Sequence, residues 1–225
     1  PRTEYLAPLE QAPTDQPFTF AIAADFNADG RPDIIAGQQP DRVYVYAGNG
    51  DLTFAPRQQL VAGTGPADAL HGDFNGDGRR DFVVANRDSG SVSVFLNDGA
   101  LLFARTEVAL AGPATDITAR DLTGDGRLDL VVSSAAPGGD APGAGRVFVL
   151  PGAGNGTFGV ATTYETGRGA RQVVVGDFTH DGRIDIATGN ASGAMAACGG
   201  GAASFDTVSL LAGRADGTFA PAIHF

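Results

Sequence analysis

The sequence predicts an all-β protein, a β-propeller of four-stranded antiparallel blades with four blades in this chain. Three observations predict it. An acidic motif, DFNADGRPD at Asp25, returns as DFNGDGRRD at Asp73, DLTGDGRLD at Asp121 and DFTHDGRID at Asp177, in steps of 48, 48 and 56 residues. A period near fifty residues marks an array of similar units. Around each motif lie short stretches rich in β-branched residues, four per period, which is the pattern of propeller blades. With 33 Gly, 13 Pro and no Trp, the composition suits short strands joined by tight turns.

The elements of one unit follow in order. FTFAIAADF and RQVVVGDF run into the acidic motif and read as the first strand, A. DIIAG, DFVVAN and DLVVSS leave it and read as a buried second strand, B. A third strand, C, follows as RVYVYAGN, SVSVFLND, RVFVLPGA and TVSLLAGR. A Gly-rich turn then ends in Phe54, Phe103, Phe158 or Phe219, expected to pack between blades, and a fourth strand, D, closes the unit, as in APRQQLVAG and GVATTYETG. The acidic motif is therefore the hairpin between A and B. The chain reads as one domain, 1–225, with units at about 5–60, 60–109, 109–164 and 164–225. Aligned on Phe54, Phe158 and Phe219, the sixth residue on is Leu60, Tyr164 or Phe225, and the opening PRTEY fits the same frame. The chain is thus expected to begin within one D strand and end within another. Pro1 in place of an initiator Met implies a piece of something longer.

The hairpin has the chemistry of a hard-cation loop. Position 1 is Asp25, Asp73, Asp121 and Asp177; position 3 is Asn27, Asn75, Thr123 and Thr179; position 5 is Asp29, Asp77, Asp125 and Asp181. Position 6 is always Gly, and position 9 is Asp33, Asp81, Asp129 or Asp185. Oxygen side chains at alternate positions followed by Gly curl a chain around an ion, and the position 7 carbonyl, of Arg31, Arg79, Arg127 or Arg183, joins them. Ca²⁺, with 6–8 oxygen ligands in flexible geometry, fits better than octahedral Mg²⁺, and the expectation is about four ions, one per repeat. The loop is not an EF-hand: position 12 is Ala36, Val84, Val132 or Thr188 where that motif needs Glu, and strands rather than helices flank it. Without a cation, three carboxylates folded together repel.

The charge agrees. The chain carries a net charge of −11, with 22 Asp, 4 Glu, 15 Arg and no Lys, and twelve of the Asp lie in the four loops. Such acidity argues against nucleic acid or anionic membrane as partner, and no apolar run reaches the ~20 residues that span a bilayer. Cys198 stands alone, so no intrachain disulfide is expected.

The motifs GDFNGDGRRD, VGDFTHDGRID and AGRADGTFAP closely resemble the FG-GAP, or VCBS, repeat family, known from the β-propellers of integrin α subunits. The resemblance covers nearly the whole chain. It implies a propeller with calcium in the A–B hairpins, commonly of seven blades, and roles in adhesion or in carbohydrate-associated extracellular proteins. It implies no catalytic residue. Four blades then close on themselves, pair with a second copy into a larger ring, or belong to a longer propeller.

Strand alternation puts the A–B and C–D turns on one face and the B–C and D–A loops on the other. Three longer segments, residues 10–17, 137–145 and 191–205, fall on the second face, which is where a protein or glycan ligand is expected. His71, His180 and His224 join no catalytic set by spacing. Asn155 and Asn190 begin glycosylation sequons. The sequence reads as a non-enzymatic, secreted, calcium-stabilised adhesion or binding module. The rivals are a carbohydrate-active lyase or hydrolase, and a purely structural segment of a larger secreted protein.

Overall fold

The computed structural model describes residues 16–135, 145–191 and 207–225. The N-terminal D strand, most of the three longer segments and Cys198 lie outside the described residues. Within them every element is a strand, and no helix is long and apolar enough to cross a membrane.

Four sheets follow one plan. Blade 1 comprises β1 (Phe18–Ala24), β2 (Asp33–Gln38), β3 (Arg42–Tyr46) and β4 (Gln58–Val61), and blade 2 comprises β5 (Pro66–Gly72), β6 (Asp81–Asn86), β7 (Ser91–Asn97) and β8 (Phe103–Ala109). Blade 3 has β9 (Asp116–Arg120), β10 (Asp129–Ala135), β11 (Gly145–Leu150) and β12 (Thr162–Thr166); blade 4 has β13 (Ala170–Gly176), β14 (Asp185–Asn190), β15 (Thr207–Leu211) and β16 (Ile223–His224). Each sheet runs A-B-C-D in sequence order with antiparallel neighbours, as the repeat predicts. The A strands slip register near their start in blades 1, 2 and 4, leaving Thr19, Ala67 and Arg171 as extra residues.

The core lies between blades. One cluster joins blades 1 and 2 through Ile35, Val43 and Val45 against Phe82, Val84 and Phe95. A second joins blades 2 and 3 through Val83, Val92 and Val94 against Leu130, Val132 and Phe148. A third joins blades 3 and 4 through Val131, Val147 and Val149 against Ile186, Leu211 and Phe219. A central strand such as β6 therefore serves two clusters, one on each face. That is why DFVVAN is apolar nearly throughout and buried along its whole length instead of alternating.

The C–D turn Phe residues behave as predicted at these junctions. Phe103 packs edge-on to Phe26, Phe158 to Phe74, and Phe219 sits in the same cluster as Leu122. In each case the residue after the first Asp of one blade meets the turn Phe of the next. Phe54, in blade 1, is the exception and stays exposed. The A strands of consecutive blades touch in turn, β1 to β5, β5 to β9 and β9 to β13. No comparable packing joins β13 to β1 among the described residues, so the blades form an arc and not a closed ring.

Candidate metal loops and an axial cleft

All four acidic hairpins adopt one conformation. The Gly at position 6 has φ of 81° or 82° in every copy, a left-handed turn that a Cβ would strain. At position 1, Asp25 Oδ2 accepts the Gly30 N–H at 2.8 Å, and Asp73, Asp121 and Asp177 repeat the bond at 2.8, 2.8 and 3.0 Å. At position 5, Asp29, Asp77, Asp125 and Asp181 each accept the N–H of the following Arg at 2.8 or 2.9 Å. Asn27 and Asn75 accept the Asp29 and Asp77 N–H groups and donate to the same residues' carboxylates.

These bonds shape the electrostatics. Burial pushes the Asp121 carboxyl upward, but N–H groups from Gly126, Gly124, Asp125 and Thr123 outweigh it and hold the carboxyl below its ordinary value. Asp77 is lowered likewise: burial pushes it up, but the Arg79 N–H, the Asn75 amide and the Arg79 charge together outweigh that. Arg79 and Arg183 pair with their position 5 carboxylates at 2.8 and 2.7 Å, and Arg127 stands 3.7 Å from Asp125.

Position 9 plays a different part. Asp33, Asp81, Asp129 and Asp185 are at most 1% exposed. One oxygen of each accepts the N–H of the position 2 residue, Phe26, Phe74, Leu122 or Phe178, at 2.9 Å. The other accepts an N–H of the C–D turn, from Gly48, Asn97, Gly152 or Gly213, at 2.8 or 2.9 Å. The carboxylate thus pins the two turns of each blade together. The sequence pattern alone shows an acid at a ligand spacing, and the second partner, some fifteen to thirty residues on, leaves no local signal. Burial raises the Asp81 carboxyl, the Asn97 and Phe74 N–H groups oppose it, and the charges of Asp77 and Asp73 add to the rise.

As the side chains stand, no group of three or more His, Cys, Asp or Glu among the described residues is gathered as a metal would gather them. The donor chemistry nonetheless fits a hard cation. Each loop offers two solvent-facing carboxylates with an amide or hydroxyl between them, and a carboxylate has about four lone-pair sites, more than the N–H groups here use.

The opposite face carries a cleft of about 950 Å³. Blades 1 to 4 contribute Thr19, Ala67, Thr115 and Arg171 from the start of their A strands, and the B–C turn of blade 2 adds Arg87 and Asp88. Arg87 and Asp88 pair at 3.0 Å in solvent. The Thr115 hydroxyl lies 3.0 and 3.1 Å from the carbonyls of Ser133 and Ala170, which share its one proton, and so bridges blade 3 and blade 4. Sequence reasoning pointed to this face through its longer loops but not to these A-strand residues, whose convergence only the blade arrangement creates.

A carboxyl pair also spans the A strands. Asp68 accepts the Ile117 N–H of the next blade at 3.2 Å, and Asp116 accepts the Val173 N–H of the blade after at 2.6 Å. Burial, then a hydrogen bond with Asp116 and its charge, push Asp68 up to about 7 from 3.8. The folded chain therefore keeps a proton at Asp68 that the unfolded chain releases. This contribution is complete below pH 3.8 and is lost as pH rises through about 7. Asp68→Asn is expected to flatten the fall in Tm over that window and to exceed the parent by about 5 °C at pH 8. Thermal melts across pH check it, and parallel pH curves for the two proteins would refute it.

His71 lies edge-on to Phe26, and burial, then the Arg80 charge, hold its pKa down. His224 meets Ser209 at 2.9 Å, but Ser209 is fully buried and also takes N–H groups from Asn190 and Gly167. The Asn190 sequon is closed for a related reason: its amide is buried and donates to Ser209 and Thr207.

Comparison with known proteins agrees with the repeat. The FG-GAP-like repeat model matches residues 25–81 and 73–132, each match beginning at a position 1 Asp. No curated protein matches the chain. A solved Agrocybe aegerita lectin, described as specifically recognising non-reducing terminal N-acetylglucosamine, matches at 22% identity and a TM-score of 0.54, over 90% of this chain and 50% of that one. BBS1N, solved in complex with ARL6DN, matches at 12% identity and a TM-score of 0.56, over 89% and 54%. At these identities the likeness concerns the fold, and the chain spans about half the length of each.

Proposed function

From the premise that residues 25–132 carry FG-GAP-like repeats, and that the fourth blade repeats their geometry, we propose that the chain is a calcium-stabilised extracellular binding module. Its ligand is a glycan held at the axial cleft. The observation that carries this reading is the cleft itself, on the face opposite the acidic loops, with all four blades supplying residues to it. Its lining mixes charged and hydroxyl groups with Leu110 and Pro113, a combination that suits the polar edge and apolar face of a sugar ring. The fold shared with a lectin supports the same class of ligand. Calcium is held by the side chains at positions 1, 3 and 5 and the position 7 carbonyl, over a position 9 carboxylate already shared between two N–H groups. It supplies charge neutralisation and rigidity, not chemistry. The millimolar calcium that such loops require supports a location outside the cell.

The carbohydrate-active enzyme is the rival. Its best acid–base candidate is the pair Asp68 and Asp116, yet both carboxyls are engaged with backbone N–H groups of the next blade. That favours a structural role for them.

A glycan array in millimolar calcium, followed by calorimetry, tests the proposal. Arg171 has an exposed guanidinium at the cleft. Arg171→Ala is expected to weaken binding of the best glycan about tenfold, the effect of losing one or two polar contacts, with an unchanged Tm. No binding to any glycan, or binding indifferent to Arg171, would overturn the assignment. Bond cleavage in the bound glycan would replace it with the enzyme.

A further inference from the structure

Every acidic loop carries Arg at position 7, although a cation loop asks only a carbonyl of that position. The side chains have a further use. Arg79 runs from its loop to the C–D turn of the same blade, where its Nε donates to the Asn97 carbonyl at 2.8 Å. Arg31 and Arg127 lay their stems over the same turn. A Cβ at Gly50 or Gly154 would stand 3.1 or 2.9 Å from their Cδ atoms. In loops 2 and 4 the guanidinium reaches the position 5 carboxylate.

The contact falls on one particular oxygen. Oδ1 of Asp29, Asp77, Asp125 and Asp181 is committed to the position 7 N–H. Oδ2 is the oxygen left for a cation. In loop 2 it already takes two donors, the Asn75 amide and the Arg79 guanidinium, both at 2.8 Å. A carboxylate oxygen has two lone pairs, so Asp77 Oδ2 has none to spare. In loop 4 the Arg183 guanidinium stands 2.7 Å from Asp181 Oδ2. In loop 3 the distance to Arg127 opens to 3.7 Å. In loop 1 Asp29 Oδ2 takes the Asn27 amide, and among the described residues no Arg pairs with it.

Resting on the calcium reading above, we propose that the position 7 arginine is a resident counter-cation that sets calcium affinity loop by loop. It neutralises the position 5 carboxylate of a calcium-free loop and must release Oδ2 before that oxygen can coordinate. An exposed ion pair of this kind shifts affinity by about threefold to fivefold. Two comparisons within the chain follow. Loops 1 and 2 both have Asn at position 3, and loop 1, whose Arg31 is not paired to Asp29, binds calcium more tightly. Loops 3 and 4 both have Thr there, and loop 3, with the longer contact, binds more tightly than loop 4.

Calcium titration of the whole chain, followed by NMR at the Gly30, Gly78, Gly126 and Gly182 amides, gives a constant for each loop. Arg79→Gln is expected to tighten loop 2 by about threefold to fivefold and to leave the other loops unchanged. Arg80→Gln removes the same charge one residue along, from a side chain that lies against His71. It is expected to shift loop 2 by less than about twofold, a screened effect of charge alone. The Tm deficit of Arg79→Gln in chelator should narrow in millimolar calcium, whereas a purely structural arginine would give the same deficit in both. An unchanged or weaker loop 2, an equal response to Arg80→Gln, or a loop 2 that in the parent chain binds more tightly than loop 1 would overturn the proposal and leave the calcium reading standing. A parent chain that binds no calcium at any loop would overturn both.

Discussion

Chelating calcium is expected to lower the Tm of this chain by about 10–20 °C. With extracellular calcium loops binding at about 10⁻⁴–10⁻³ M, tenfold excess ion contributes about 1.4 kcal/mol per site. Four sites then add about 5–6 kcal/mol, and a chain of this size shifts by about 2–4 °C per kcal/mol. The dependence should be graded in calcium and weaker for magnesium, because the loops offer flexible oxygen donors in place of a rigid octahedron. Differential scanning calorimetry with and without chelator reads it directly. A Tm indifferent to chelator would remove calcium from the account of all four loops.

Asp81→Ala is expected to cost about 3–5 kcal/mol whether or not calcium is present, since two N–H groups lose a charged acceptor in a buried site. The groups are those of Phe74 and Asn97, and Asp81 itself is fully buried. Asp77→Ala is the contrast. Its carboxylate is solvent-facing and its ion pair with Arg79 is worth under about 1 kcal/mol. Its larger loss should appear in calcium and vanish in chelator. Urea denaturation of both variants under the two conditions separates the roles. If the two losses vanished together in chelator, position 9 would be a metal ligand and nothing more.

The strands and their order were legible because the repeat prints them four times. Any single copy, such as TVSLLAGR, is too short to assign securely, but four in register leave little freedom. The loop positions were legible for the same reason. The function of Asp33 and its equivalents was legible only in part. Spacing within the hairpin pairs Asp33 with Asp25 and Asp29, whereas the bond to Gly48 spans fifteen residues and depends on where β3 ends. The cleft was hidden altogether. Thr19, Ala67, Thr115 and Arg171 share one structural position but only the two Thr share a chemistry, so no motif flags them, and they converge only because four A strands face a common axis. The Phe residues show the reverse. Their shared role was visible in sequence, but the exposure of Phe54 reflects its place at the end of the array, which its own neighbours in sequence do not encode.

Because each hydrophobic cluster is shared by two blades, no blade owns a complete interior. Stability then resides in couplings between neighbours, in the manner of a one-dimensional lattice. An excised blade would be left with half-cores on both sides, whereas gaining or losing a whole repeat changes the number of couplings by one and leaves the others intact. The natural unit of variation is therefore the period itself. Arrays of this design can lengthen or shorten by duplication without rebuilding the interior, while a cut inside a repeat breaks a coupling it does not replace.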